Sequence, residues 1–214
     1  MQFVNEGHLG GYVAADAQYP NGDPKTFTPK VWTYLVDRFD PFCWILDVGC
    51  GEGHALKWMK TYQTTPKKSP TPSTFLLGID GSETADKNSV LPPECFMLHD
   101  FTKGPVRKEF PEMPGTKMIW SCEFVEHVEE QYLQNVLSLF SRANVIAMTH
   151  AFPGQLGHHH VNCQETGYWM EKMRSIGFAL DAKTTEDSRR LGNHSHWKRS
   201  GLVFTSQKYT QARW

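Results

Sequence analysis

Five short apolar runs, CWILDVG (43–49), TFLLGID (74–80), ECFMLHDF (94–101), KMIWSCEF (117–124) and NVIAMTHA (144–151), alternate with stretches of helical spacing. This alternation constrains the fold more than any other feature of the chain. The stretches HALKWMKTY (54–62), EEQYLQNVLSLFSRA (129–143) and ETGYWMEKMRSIGF (165–178) place apolar residues three and four apart, as an amphipathic helix does. Strands joined through helices pair in parallel, because the crossover brings each strand back in the same direction. The expectation is a doubly wound α/β fold with a seven-stranded, mainly parallel sheet and an antiparallel edge strand. The two last runs, ALDAKTT (179–185) and GLVFTSQK (201–208), are read with no helix between them and are expected to pair antiparallel at one edge.

The 214 residues are expected to form one domain, 1–214. Its first forty residues are rich in Gly, Pro and polar groups and carry one helical stretch, PKVWTYLVDRF. They are expected to form an N-terminal arm or lid over 1–40, hinged at Gly10 and Gly11, with Tyr12, Tyr19 and Trp32 offering rings to a substrate. The Pro/Ser/Thr/Lys segment 64–74 reads as a flexible surface loop. The polar, basic stretch DSRRLGNHSHWKRS (187–200) reads as solvated surface.

Charge nearly cancels, with 22 Lys and Arg against 23 Asp and Glu, so no general field draws the chain to nucleic acid or a membrane. A small-molecule substrate is expected; a short RNA end, which needs only a local basic patch, stays open. No apolar run reaches the roughly 18 residues of a membrane-spanning helix. The five cysteines, at 43, 50, 95, 122 and 163, form no CxxC pair, and their odd count argues against a disulfide framework. A reducing, cytoplasmic location is expected.

In wound sheets ligands bind beyond the carboxyl ends of the strands, so the tips after residues 49, 80, 100, 122 and 150 should share a cleft. The first tip lies in ILDVGCGEGHALKWM (45–59), which reads as strand, glycine turn and helix. The pattern is GxGxG rather than GxGxxG, with Asp47 two residues ahead of Gly49. A carboxylate there suits a cationic ligand better than a pyrophosphate. Asp80 and Gly81 end the second run, Asp100 and Phe101 the third, and Ser121-Cys122-Glu123-Phe124 the fourth.

This order of motifs resembles the class I S-adenosylmethionine-dependent methyltransferases over roughly residues 43–208. The resemblance implies that Asp47, Gly49, Cys50, Gly51, Asp80, Gly81, Asp100, Phe101, Ser121 and Glu123 bind S-adenosylmethionine. Asp80 would take the ribose hydroxyls and Asp100 with Phe101 the adenine. The fourth tip lacks the Asn/Asp-Pro-Pro-aromatic motif of base amino-group methyltransferases, and the chain has no Pro-Cys pair of the cytosine C5 kind. Instead CEFVEHVEE (122–130) resembles Glu-x-x-Glu-His O-methyltransferases of ubiquinone synthesis and of small-RNA 2′-hydroxyl ends. That likeness implies a divalent ion (Mn, Fe or Zn) on Glu123, Glu126, His127 and His160, supplied by the loop AFPGQLGHHHVNCQ (151–164). A metal-free histidine base, drawn from His127, His158, His159 and His160, is the alternative. The function expected is methyl transfer from S-adenosylmethionine to a hydroxyl oxygen. Transfer to nitrogen or carbon, and a non-catalytic S-adenosylmethionine-binding partner protein, are the competing readings.

Overall fold

The structure is a computed structural model that describes residues 2–63 and 74–212. The expected surface loop 64–74 lies outside the described residues except for Thr74. The chain opens with an antiparallel hairpin, β1 (Gln2–Asn5) and β2 (Gly11–Ala14), and then helix α1 (Pro29–Phe39). Pro29 stands at the start of α1, where its missing N–H costs nothing. Val31, Trp32, Leu35, Val36 and Phe39 fall on one face of that helix and are buried.

The main sheet is built from β3 (Phe42–Val48), β4 (Phe75–Asp80), β5 (Phe96–Leu98), β6 (Thr116–Ser121), β7 (Val145–Met148), β8 (Phe178–Leu180) and β9 (Leu202–Ser206). Its spatial order is β5-β4-β3-β6-β7-β9-β8. The pairings from β5 to β7 are parallel; β9 is antiparallel to both β7 and β8. Helices α2 (His54–Gln63), α3 (Glu83–Lys87), α4 (Leu133–Phe140) and α5 (Thr166–Ser175) connect the parallel strands or lead into the antiparallel pair. One apolar layer joins α1 and α2 to the sheet through Trp32, Leu35, Leu56 and Met59. The other joins α4 and α5 through Leu133, Val136, Phe140, Trp169 and Met173. The seven-stranded, doubly wound class read from the sequence is the one observed.

The region after β8 departs from expectation. Two helices, α6 (Ala182–Leu191) and α7 (His196–Ser200), separate β8 from β9, and α8 (Gln207–Ala212) follows the last strand. Most of ALDAKTT is therefore helix. Asp181 caps α6, accepting from the Thr184 amide at 2.9 Å and the Thr184 hydroxyl at 2.6 Å. The inward positions of α6 are Thr184, Thr185 and Ser188, so it carries no apolar stripe to read. Segment 187–200 is also not simply solvated surface. Trp197 is fully buried, stacks on Trp120 at 4.7 Å and donates its indole N–H to Ser188 Oγ at 3.1 Å. Burying such a ring contributes about 3 kcal/mol, enough to pin α7 to the sheet.

Strands β3, β4 and β5 step one way across the sheet, while β6 and β7 step the other way. The direction in which successive strands are added thus reverses between β3 and β6, although the two strands run parallel. That switch point opens the crevice in which such sheets hold ligands.

Candidate active site at the switch point

The glycine turn after β3 is fixed by two amides, Gly49 and Cys50, that both donate to the Ile79 carbonyl, at 2.8 and 3.3 Å. Gly49 has φ 77° and Gly51 φ 51°, a region that L side chains rarely enter. A Cβ on Gly49 would stand 2.6 Å from the Phe124 side chain. The turn therefore keeps its backbone bare, as close approach by a ligand requires.

Asp47, Asp80 and Asp100 all line one cleft of about 390 Å³, within the usual range for small-molecule sites. Asp80 accepts from the Gly51 amide at 2.8 Å and the Ser82 amide at 2.9 Å. Each of its oxygens keeps a lone pair for a ligand hydroxyl. Burial still holds the Asp80 carboxyl above the usual range, against those hydrogen bonds. Asp47 is 3 % exposed, and burial together with the Asp80 charge pushes its pKa to about 8. Burial also acts on Asp100, but hydrogen bonds from Thr102 and His8 outweigh it and hold that carboxyl below the usual range. Gly81, Cys50 and Phe101 line the same cleft. Burial, with the charges of Asp80 and Asp47, raises the Cys50 thiol well above its ordinary value, so it is no thiolate.

The β1–β2 hairpin forms a wall of the cleft. Glu6 accepts from Ser82 Oγ at 2.7 Å, and His8 Nε2 lies 3.3 Å from Asp100 Oδ2. The Ala15 amide, just past β2, donates to Glu52 Oε2 at 3.1 Å. Tyr12 and Trp32, expected to offer rings, line the cleft; Tyr19 does not.

Glu123 is the strained residue of the site, with φ 53°. A non-glycine residue in this region costs about 1–2 kcal/mol, and the surroundings impose it. The Thr149 hydroxyl accepts from the Glu123 amide at 2.7 Å and donates to its carboxylate at 2.9 Å. The second carboxylate oxygen lies 3.2 Å from His196 Nδ1. On its other side, His196 Nε2 is 3.6 Å from Asp23 Oδ2. Burial pulls the His196 pKa down, but these two carboxylates overcome it and raise it.

Glu123, Glu126 and His127 do not form one helical face. Residues Val125–His127 make a single 3-10 turn, and no helix begins at Phe124. The Glu126 carboxyl is fully buried and does not line the cleft, neither oxygen has a hydrogen-bond partner among the described residues, and burial raises its pKa well above the usual range. His127 does line the cleft. Burial, then the neighbouring His160, lowers its pKa to about 4, and its Nδ1 lies 3.3 Å from the His159 carbonyl. Of the triple histidine, His158 and His160 line the cleft and His159 does not. The His158 ring meets Phe3 at 5.2 Å, and His160 Nδ1 donates to the Gln155 carbonyl at 3.1 Å.

The donor set implied by the Glu-x-x-Glu-His likeness is thus not assembled. Glu123 turns to Thr149 and His196, Glu126 is sealed away, and His127 packs on His160 ring to ring at 5.1 Å. No group of three or more His, Cys, Asp or Glu side chains is placed to hold an ion among the described residues. Ser121 also stays out of the cleft. It is buried and donates to the Val48 carbonyl at 2.9 Å, tying β6 to β3. Conversely, Asp23 and His196 enter the cleft from segments read as arm and as surface. The one sequence sign was Trp197, a large apolar residue inside a polar run.

No family model and no curated protein matches the sequence. Solved structures do match. A TehB-like SAM-dependent methyltransferase from Corynebacterium glutamicum superposes with TM-score 0.54 at 14% identity, covering 83% of this chain and 88% of that one. The methyltransferase domain of bacterial CtHen1-C gives 0.52 at 15%, covering 84% and 97%. The plantazolicin methyltransferase BpumL in complex with SAH gives 0.52 at 13%, covering 86% and 84%. Other matches are longer proteins: the chain spans 66% of a magnesium protoporphyrin IX methyltransferase from Synechocystis PCC 6803 and 51% of LepI. The fold is that of the class I S-adenosylmethionine-dependent methyltransferases. Among the described residues no helix is long and apolar enough to cross a membrane.

Proposed function

We propose that this protein is an S-adenosylmethionine-dependent methyltransferase acting on a hydroxyl of a small molecule. The observation that carries this reading is the convergence of Asp47, Asp80 and Asp100 with the bare glycine turn on one cleft. When bound, S-adenosylmethionine supplies an electrophilic methyl group. Asp80 accepts hydrogen bonds from the ribose hydroxyls, and Asp100 with Phe101 takes the adenine. Asp47 sets a carboxylate against the cationic half of the molecule. The β1–β2 hairpin and the 155–160 loop wall off water, and the Glu123 face, across the reversal point, receives the acceptor.

The charge of the cleft supports a small acceptor over an RNA end. Among the described residues no Lys or Arg lines it, while Glu6, Asp23, Glu52 and Glu129 join the carboxylates already named. A phosphate backbone needs the opposite sign. The basic residues Arg189, Arg190 and Lys198 border a separate surface depression.

The test is production of S-adenosylhomocysteine from S-adenosylmethionine with a panel of hydroxyl, amine and thiol acceptors. Product formation with hydroxyl acceptors supports the proposal. Turnover restricted to amines would overturn the oxygen assignment, and absence of S-adenosylmethionine binding would overturn the whole reading.

A further inference from the structure

We propose that His196 is the base that takes the acceptor's proton, and that the acceptor is a flat, ring-borne hydroxyl without an anionic group. This deepens the methyltransferase reading and rests on it.

The geometry begins with α7. Trp197 is locked against Trp120, and the His196 amide donates to the Lys25 carbonyl at 3.1 Å. Neighbouring anchors on both sides therefore fix the imidazole, at a place where the N-terminal arm and the 187–200 segment meet. Nδ1 lies 3.2 Å from Glu123, whose own geometry is imposed by Thr149 at the cost of a left-handed backbone. With Nδ1–H donated to Glu123, the lone pair stands on Nε2. Nε2 is 3.6 Å from Asp23, an ion-pair distance longer than a hydrogen bond, so a hydroxyl that enters between them can give its proton to Nε2 while Asp23 stays beside the ring. A base oriented by a carboxylate on its far nitrogen is the arrangement that general-base catalysis needs.

The alternative histidines are less suited. His127 gives its Nδ1 to a backbone carbonyl and is packed against another imidazole, while His158 is exposed on the rim. Asp23 faces His196 from the arm, Glu123 faces it from the segment after β6, and Lys25 is the nearby cation.

Rings supply the rest of this end of the cleft. Phe27, Trp32 and Trp120 line it, with Phe27 and Trp120 each edge-on to Trp32. Among the described residues the buried Trp32 indole N–H has no partner, and it calls for a ligand oxygen or a water. Flat rings, a free donor and carboxylates with no Lys or Arg define an uncharged or cationic hydroxyarene.

In the step, the acceptor O–H bond breaks and its proton passes to His196 Nε2. The oxygen forms a bond to the methyl carbon, and the C–S bond pair returns to sulfur, leaving a neutral thioether. The imidazolium so formed lies between Glu123 and Asp23, which stabilise it.

The experiment uses three para-substituted phenols with a neutral, a cationic and an anionic tail: 4-ethylphenol, tyramine and 3-(4-hydroxyphenyl)propionate. S-Adenosylmethionine binding is measured first by calorimetry, which separates failure of this proposal from failure of the methyltransferase reading. With binding intact, turnover of 4-ethylphenol or tyramine is expected at least tenfold above the propionate. H196Q should lose 100- to 10,000-fold in kcat with cofactor affinity unchanged. The acid limb of the pH–rate profile should disappear in H196Q and move to lower pH in D23N, because Asp23 raises the imidazole pKa. Unchanged cofactor affinity in H196Q reports a folded protein. Wild-type kcat and pH profile in H196Q, or no turnover of any of the three phenols by a protein that binds S-adenosylmethionine, overturns the proposal.

Discussion

Asp47 offers a prediction that reaches from burial to ligand binding. Its carboxyl is buried beside Asp80 and has a pKa of about 8, so at pH 7 about nine tenths of it is protonated before ligand binds. A cationic ligand reverses the balance, because opposite charge favours the carboxylate. Binding of S-adenosylmethionine should therefore release up to about 0.9 proton at pH 7. The assay is calorimetric titration in buffers of high and low ionisation enthalpy, where the slope of apparent enthalpy reports protons released. D47N should abolish the slope. S-Adenosylhomocysteine, which lacks the sulfonium charge, should release fewer protons than S-adenosylmethionine. The same group acts on folding. Below its unfolded pKa near 4 both states are protonated and nothing is lost. Between about 4 and 8 only the unfolded state ionises freely, so stability falls as pH rises, by up to about 1.4 kcal/mol per pH unit, and levels off above 8. D47N should remove that fall. A wild-type protein that releases no proton on binding, or a D47N variant that releases as many, would refute the reasoning.

Other variants test separate parts of the structure. D80N removes a charged acceptor and should weaken S-adenosylmethionine binding by about 1.5–3 kcal/mol, or roughly 10- to 150-fold in Kd by calorimetry. G49A sets a Cβ 2.6 Å from Phe124 at φ 77° and should lower stability by more than about 1 kcal/mol in thermal melts. E126Q neutralises a buried carboxyl that has no hydrogen-bond partner among the described residues. Its raised pKa means that stability drains as pH rises past the unfolded value, so the variant should gain Tm over wild type at pH 8 and match it near pH 4. D181A deletes the α6 cap and should cost about 1 kcal/mol, some 2–4 °C in Tm.

The parts of the fold that repeat a hydrophobic pattern were legible. α1 covers the PKVWTYLVDRF stretch residue for residue, and the five apolar runs contain β3 to β7 apart from one residue at the start of β3 and of β6. α6 was not legible, because its buried side chains are hydroxyls that sit on Ser and Thr rather than on an apolar stripe. Nor was the β1–β2 hairpin, whose four-residue strands, β1 mostly exposed and β2 half-buried, show no alternation. The cofactor half of the site follows from strand-end carboxylates, which sequence order places on neighbouring strands. The Glu123 face does not follow, because the partner of Glu123 lies 73 residues away and reaches it through the packing of Trp197. The Glu-x-x-Glu-His spacing suggested a shared helical face; a left-handed Glu123 and a 3-10 turn send the three side chains apart.

The most direct measurement is a crystal structure of the protein with S-adenosylhomocysteine. The ribose hydroxyls are expected within hydrogen-bond distance of Asp80, the adenine against Phe101 and Asp100, and the thioether sulfur facing Glu123. A nucleoside bound elsewhere, or a cleft that stays empty at saturating ligand, would contradict this placement.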